Sequence, residues 1–255
     1  MLRKKIVHLM QGIHLGEKFK VSDQQKGLPL PSPEKKVGRL KIVKLPDPLQ
    51  TATIKPEIKD CIHDRKSTRR FADRAITMQE LSFLLWATQG IRRMRENLDQ
   101  QISHHAIKRT VPSGGSRHPF ETYIVVQNVK GLSPGVYRYV ATLNSLVVVS
   151  KRAVSQKRIL EACCGQVFCA KAPILFIWAA LPYRTEWRYG IERAMKSVLL
   201  DAGHVGQNLH LSCETLRLGT CMIAAYIQEL VDKIIKVNGK EEFTIYLAPV
   251  GGLID

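Results

Sequence analysis

The segment Arg65-Lys66-Ser67-Thr68-Arg69 gathers two guanidiniums, an ammonium and two hydroxyls within five residues. In an extended chain alternate residues share a face, so Arg65, Ser67 and Arg69 point together. That trio suits a phosphate-like dianion held by charge-assisted hydrogen bonds. The plain alternative is a solvated basic turn. A second stretch, Pro112-Ser113-Gly114-Gly115, precedes an apolar run and leaves two positions without a β-carbon. It serves either as a tight turn into a strand or as a bare wall against which a ligand lies.

No self-sufficient catalytic set accompanies these segments. The GxSxG, HExxH, P-loop and Rossmann glycine patterns are absent. His204 and His210 are six apart and fall on different faces of a helix, while His104-His105 reads as a solvated pair. A large core with a basic cluster and no catalytic set of its own fits chemistry borrowed from a cofactor.

The elements that must position these residues are readable from patterning. Residues 20–56 are rich in proline and predict an extended arm over the surface. Pro56 to about Asp64 predicts a short helix. Thr77-Met78-Gln79-Glu80 matches a capping box opening a helix that stops at Gly90. Residues 91–110 are polar and read as a loop or frayed helix. Residues 121–129 read as a strand, and residues 131–150 as a hairpin. Ala153 to about Cys164 reads as a helix, and the apolar run of residues 172–180 as a buried central strand. From Glu186 to Leu216, apolar residues recur at three- and four-residue steps, which predicts one long core helix. A helix from Ile227 to about Val237 and a last strand over residues 242–252 complete an α+β fold without strict βαβ alternation.

The chain has 255 residues and is 45% hydrophobic, enough for one large domain plus an arm. The division expected is a basic, proline-rich arm over residues 1–54 and a cofactor-binding domain over 55–255. No run is long and apolar enough to span a bilayer, and the basic start lacks a signal-peptide core. Six dispersed or clustered cysteines without a CxxC pair read as buried thiols in a reducing compartment, so a cytoplasmic protein is expected. Net charge is +17, and residues 1–70 carry 17 Lys and Arg against 7 Asp and Glu. Such a balance admits nucleic acid or an anionic ligand. The scattered basic residues and the absence of any nucleic-acid motif weigh against nucleic acid.

Five stretches, RKSTRRF, LSFLLWATQGI, PSGGSRHPFETYIVV, GVYRYV and DAGHVGQNLHLSCETLRLGT, occur in this order at spacings that resemble the flavin-dependent nitroreductase superfamily. The closer similarity is to its SagB-type dehydrogenase branch, which includes azoline oxidases, and it covers roughly residues 55–252. The resemblance implies a nitroreductase-like α+β fold, with a central, mainly antiparallel sheet flanked by helices including one long core helix. It also implies a homodimer with FMN between the subunits. Arg65, Ser67 and Arg69, with Lys66, would hold the flavin phosphate, ribityl chain and pyrimidine edge. Pro112, Ser113, Gly114 and Gly115 would reach the flavin from the partner. Met222, Ile223, Ala224 and Ala225 would pass near the ring and its N5. Gln207 and Asn208 fall on the long helix as flavin contacts or as buried helix polar groups.

Two departures stand out. Pro249-Val250-Gly251-Gly252 lacks the Gly-Arg that commonly ends this family, and Arg188-Tyr189-Gly190 stands where azoline oxidases carry Lys-Tyr before Gly. Arg188 stays protonated and is a poor base, which leaves Tyr189 to donate or accept a proton. The expected activity is ping-pong hydride transfer through flavin N5 to or from an organic substrate. The alternatives are an NAD(P)H-dependent nitro or quinone reductase and a non-catalytic flavin- or anion-binding protein.

Overall fold

The run Ile174–Ala180 shows how the sequence builds the middle of the protein. All seven residues are buried. Ile174, Phe176, Trp178 and Ala180 enter one apolar cluster, and Leu175, Ile177 and Ala179 enter another. A strand apolar on both faces needs helices on both sides.

The computed structural model describes residues 21–55, 57–94 and 107–254. Its strands are β1 (Ile42–Lys44), β2 (Ile91–Met94), β3 (Ile107–Arg109), β4 (Phe120–Val126), β5 (Gly135–Val140), β6 (Ser145–Ser150), β7 (Ile174–Ala180), β8 (Leu218–Thr220) and β9 (Phe243–Gly252). Its α-helices are α1 (Ile58–Asp64), α2 (Met78–Gln89), α3 (Gln156–Ala162), α4 (Val167–Lys171), α5 (Tyr183–Tyr189), α6 (Ile191–Thr215) and α7 (Gln228–Ile235). Seven strands form one sheet in the order β1-β6-β5-β4-β7-β9-β8, and every ladder in it is antiparallel. Residues of α2 and α6 cover one face; residues of α3, α4 and α7 cover the other. The fold is the α+β arrangement the sequence predicts, an antiparallel sheet flanked by helices, with α6 as its 25-residue helix.

The capping box forms as expected: Thr77 Oγ1 accepts the Glu80 N–H, and the Glu80 carboxylate accepts the Thr77 N–H. Gly90 ends α2, but at φ −63°, outside the left-handed region. A β-carbon there would lie 2.3 Å from Trp86 Cδ1, so close approach explains the glycine.

Three expectations are corrected. The ends of segment 91–110 are neither loop nor helix, because β2 and β3 pair antiparallel. The Thr110 N–H to Gly90 carbonyl bond starts that pairing where α2 stops. His104 and His105 lie outside the described residues. The single long helix from Glu186 is two helices, because Gly190 at φ 75°, ψ 159° breaks the ladder between α5 and α6. The cysteines are unpaired and buried except Cys164, which is exposed.

The arm is mostly extended, yet it contributes β1 at the sheet edge. Its residues 23–32 are bonded to α5 at four points. Gln24 N–H donates to the Trp187 carbonyl at 2.8 Å and Trp187 Nε1 donates to the Leu28 carbonyl at 3.0 Å. Arg184 Nε donates to the Ser32 carbonyl at 2.9 Å. Beneath, Glu121 is 3% exposed and binds both Arg138 at 2.8 Å and Arg184 at 2.5 Å.

Candidate functional site

Two groups of residues meet α6 at different heights. The first surrounds the basic segment. Arg65 is the residue that closes α1, and the chain then runs extended beside β8: Thr68 N–H donates to the Thr220 carbonyl at 2.8 Å. The Glu214 carboxylate accepts the Lys66 N–H, and burial raises its pKa. Burial lowers the pKa of His210, with Arg65 adding to the effect. Lys66, Ser67 and Arg69 are exposed and Arg65 is half-buried; no ion pair engages Arg65, Lys66 or Arg69 among the described residues. Gly219 permits this path, since a β-carbon there would come within 2.6 Å of Thr68.

Residues 222–225 follow directly from β8. Met222 lies against α6, where a β-carbon on Gly206 would meet its Cε at 3.1 Å. Ile223 is buried, and both its backbone groups pair with Leu247, so it anchors the segment. Ala224 and Ala225 are exposed. The Ala225 carbonyl accepts from Gln166 Nε2 at 2.8 Å. Two residues on, the Phe168 ring lies 5.9 Å below the Arg69 guanidinium. The structure thus brings the basic segment and the alanines together around α4 and α6. On α6, Gln207 is exposed and a β-carbon on Gly203 would meet nothing within 4 Å, while Asn208 is committed to the Ala87 carbonyl.

The second group surrounds the glycine loop. Ser113 Oγ donates to Asp201 Oδ2 at 2.6 Å, and Gly114 N–H donates to Asp201 Oδ1 at 3.1 Å. Burial raises the Asp201 pKa, opposed by these two hydrogen bonds. Pro112 is exposed at the head of the loop. Gly115 has φ +58°, and a β-carbon there would lie 2.6 Å from Arg188 Cδ and from the Tyr189 hydroxyl. Arg188 and Tyr189 therefore close over the loop, with the Arg188 guanidinium 5.6 Å from the Tyr189 ring and its Nη1 buried without a partner among the described residues. Arg117 Nε donates to the Gly115 carbonyl at 2.9 Å; burial, with Arg188 beside it, lowers the Arg117 pKa to about 10.

From Asp201 to Glu214 is thirteen residues of helix, about 20 Å at 1.5 Å per residue. Within one chain the basic segment therefore lies at the C-terminal end of α6 and the glycine loop near its middle. Ile191, Met195, Leu199 and Leu200 on α6 are all exposed. Asp201, which holds the loop, was not singled out from sequence; its signal was a carboxylate on the buried face of an apolar helix pattern. Glu214 carried the same signal, and His210 a polar ring on that buried face. Among the described residues no group of three or more His, Cys, Asp or Glu could hold a metal, and no helix is long and apolar enough to cross a membrane.

Comparison with known proteins gives the family. The sequence profile of the Nitroreductase family matches residues 62–252. A Methanocaldococcus jannaschii protein named "Putative nitroreductase MJ1384" is 33% identical over 199 residues, 78% of this chain and 92% of that protein. The trifolitoxin-processing protein TfxB of Rhizobium leguminosarum bv. trifolii is 27% identical over 135 residues, 52% of this chain and only 36% of its own length. A solved structure from Anabaena variabilis, described as a "putative nitroreductase", superposes with a TM-score of 0.68 at 22% identity, covering 86% of this chain and 42% of that one. The chain thus spans less than half of those last two proteins. With the profile matching most of its length and the sheet, long helix and glycine loop in place, this chain belongs to the Nitroreductase family of oxidoreductases.

Proposed function

We propose that the chain binds FMN at a homodimer interface and transfers hydride between a donor and an organic substrate, as a SagB-type dehydrogenase. The observation that carries this reading is the trio Arg65, Ser67 and Arg69, free of ion pairs among the described residues and linked through Phe168 and Gln166 to the exposed Ala224–Ala225 segment. These residues fit FMN, which needs cations at one end and an uncrowded surface for a flat ring at the other. Bound there, FMN supplies hydride exchange at its N5.

The chain's own residues divide the remaining work. Arg65 and Arg69 neutralise the phosphate and Ser67 hydrogen-bonds it, while Lys66 adds charge at the rim. Ala224 and Ala225, with Met222 and Gln207 beside them, leave the ring face accessible to substrate. Pro112, Ser113, Gly114 and Gly115 form the wall supplied by the partner subunit, a role supported by their separation of about 20 Å from the basic segment along α6. The exposed stripe of Ile191, Met195, Leu199 and Leu200 supports a second copy as its cover. Tyr189 is the group placed to exchange a proton, and Arg188 holds negative charge beside it. The six unpaired thiols support a cytoplasmic setting.

The likeness to a trifolitoxin-processing protein favours dehydrogenation of a peptide-derived or other organic substrate. Arg188, in place of the lysine of azoline oxidases, favours the second reading: NAD(P)H-driven reduction of a nitro or quinone acceptor. Purified protein should absorb in the flavin bands, release FMN on denaturation, and lose that absorbance anaerobically with one class of donor. Colourless protein that cannot be loaded with FMN overturns the proposal; loaded protein without turnover reduces it to a binding role.

A further inference from the structure

The excess of positive charge is not absorbed by the flavin reading. Seven cations line one groove of about 700 Å³ on the α3/α7 side of the sheet, and no carboxylate lines it. Arg39 and Lys41 approach from the strand-side arm, Lys151 and Arg152 from the connection between β6 and α3, Arg158 from α3, and Lys233 and Lys236 from α7 and its C-cap. All seven are exposed, and none makes a salt bridge among the described residues. Lys236 Nζ donates to the Val149 carbonyl at 3.0 Å, tying the end of α7 across the groove wall. The floor is apolar, built from Val136, Val148, Val154 and Ile234, with Leu40 exposed at the rim.

Like charges brought together on separate segments repel one another, so an anionic partner in the groove relieves that repulsion and is attracted by the summed field. Three features narrow the partner. The valine floor has nothing to offer a naked polyphosphate. No aromatic side chain lines the groove, so single-stranded nucleic acid finds no stacking platform. An extended acidic peptide satisfies both surfaces, with carboxylates on the rim and apolar side chains on the floor. The groove also lies on the sheet face opposite α6, so a dimer closed over the α6 stripe leaves it open.

We propose that this groove docks an extended acidic segment with interleaved apolar side chains, carried by a protein or peptide partner. The proposal is independent of the flavin site. It is tested on the full-length holoprotein with a rhodamine-labelled peptide, ELELDLEL, read by fluorescence anisotropy. Its neutral counterpart QLQLNLQL, an oligo-dT strand and tripolyphosphate serve as competitors. Lys151→Glu, Arg152→Glu and Lys233→Glu combined should raise the peptide's Kd roughly tenfold or more, and added salt should weaken binding of the native protein. Lys130→Glu, Lys171→Glu and Lys240→Glu combined, the same charge change away from the groove, should leave Kd within about twofold. Unchanged flavin content and circular dichroism certify folding of both variants. If the groove triple fails to fold, Arg152→Ala alone should weaken binding about threefold. Equal losses in the two triples, equal binding of the neutral peptide, displacement by oligo-dT or tripolyphosphate at lower concentration, or no binding at all would each overturn the proposal.

Discussion

Asp201 and Ser113 are joined by a 2.6 Å hydrogen bond between the long helix and the glycine loop, and the same carboxylate takes the Gly114 N–H. Ser113 Oγ in turn accepts the His118 N–H at 2.8 Å, so one buried side chain sets the shape of residues 113–118. Asp201 is 4% exposed. Asp201→Ala strands two donors there, at about 1–3 kcal/mol each. We expect a stability loss of about 2–6 kcal/mol and weaker flavin retention. Asp201→Asn keeps the shape and one acceptor and should lose less. Chemical denaturation of both variants checks this; an Ala variant as stable as the native protein would refute it.

Gly115 tests whether the loop must be bare. Its φ of +58° costs an L-residue about 1–2 kcal/mol. The added β-carbon also meets Arg188 and Tyr189 at 2.6 Å. Gly115→Ala should push both side chains away, and Gly115→Val should do so further. The expected result is reduced flavin affinity and turnover with secondary structure preserved, read by flavin titration and circular dichroism. Normal turnover in the valine variant would mean that neither the loop nor Tyr189 borders the reaction.

Arg65→Ala with Arg69→Ala tests the phosphate assignment. Hydrogen bonds to a charged group contribute about 1.5–3 kcal/mol each, so the double variant should bind FMN at least roughly a hundredfold more weakly. Riboflavin has no phosphate, and its affinity should change little. Fluorescence titration with both flavins separates the cases. Equal losses for the two would move the arginines to the ring or ribityl chain.

Leu199→Asp tests the dimer. The side chain is 52% exposed, so the change costs the isolated subunit little. A buried carboxylate at a subunit contact is costly, so the variant should run as a monomer in light scattering and lose its flavin. A dimeric, yellow variant would put the interface elsewhere.

How much of this was legible depended on whether a signal was local. The capping box at Thr77–Glu80, the buried strand Ile174–Ala180 and the core periodicity of α6 are set by neighbouring residues, and patterning located them. Gly190 was not recognised as a break because the apolar steps run through it; the bonds that turn α5 aside come from the arm, some 160 positions earlier. The β2–β3 pairing was missed because its strands are short and charged, and the start of α2's C-terminal cap, not alternation, dictates it. For Arg65, Ser67 and Arg69, type and spacing left an anion site and a solvated basic turn both open, and the phosphate role comes from the family resemblance. Asp201 was not, because a carboxylate in a helix becomes informative only when Ser113, 88 residues away, is seen beside it.

His118 makes stability depend on pH in a direction that can be worked out. It is 3% exposed, and neither ring nitrogen has a hydrogen-bond partner among the described residues. Burial, with Arg109 and Arg117 adding repulsion, lowers its pKa from 6.5 to about 3. The folded state therefore holds a neutral ring where the unfolded chain would take up a proton. The unfolded state binds more protons between about pH 3 and 6.5, so stability falls as pH drops through that window and is unaffected by this group above it. From pH 7 to 5 the loss from one such group is about 2 kcal/mol. His118→Asn removes the titration, and asparagine tolerates the local φ of +47°. Denaturation at fixed protein concentration should show the native protein losing about 2 kcal/mol more than the variant between those two pH values. Parallel losses in the two proteins would mean that His118 is charged in the fold, and that Arg109 and Arg117 do not set its state.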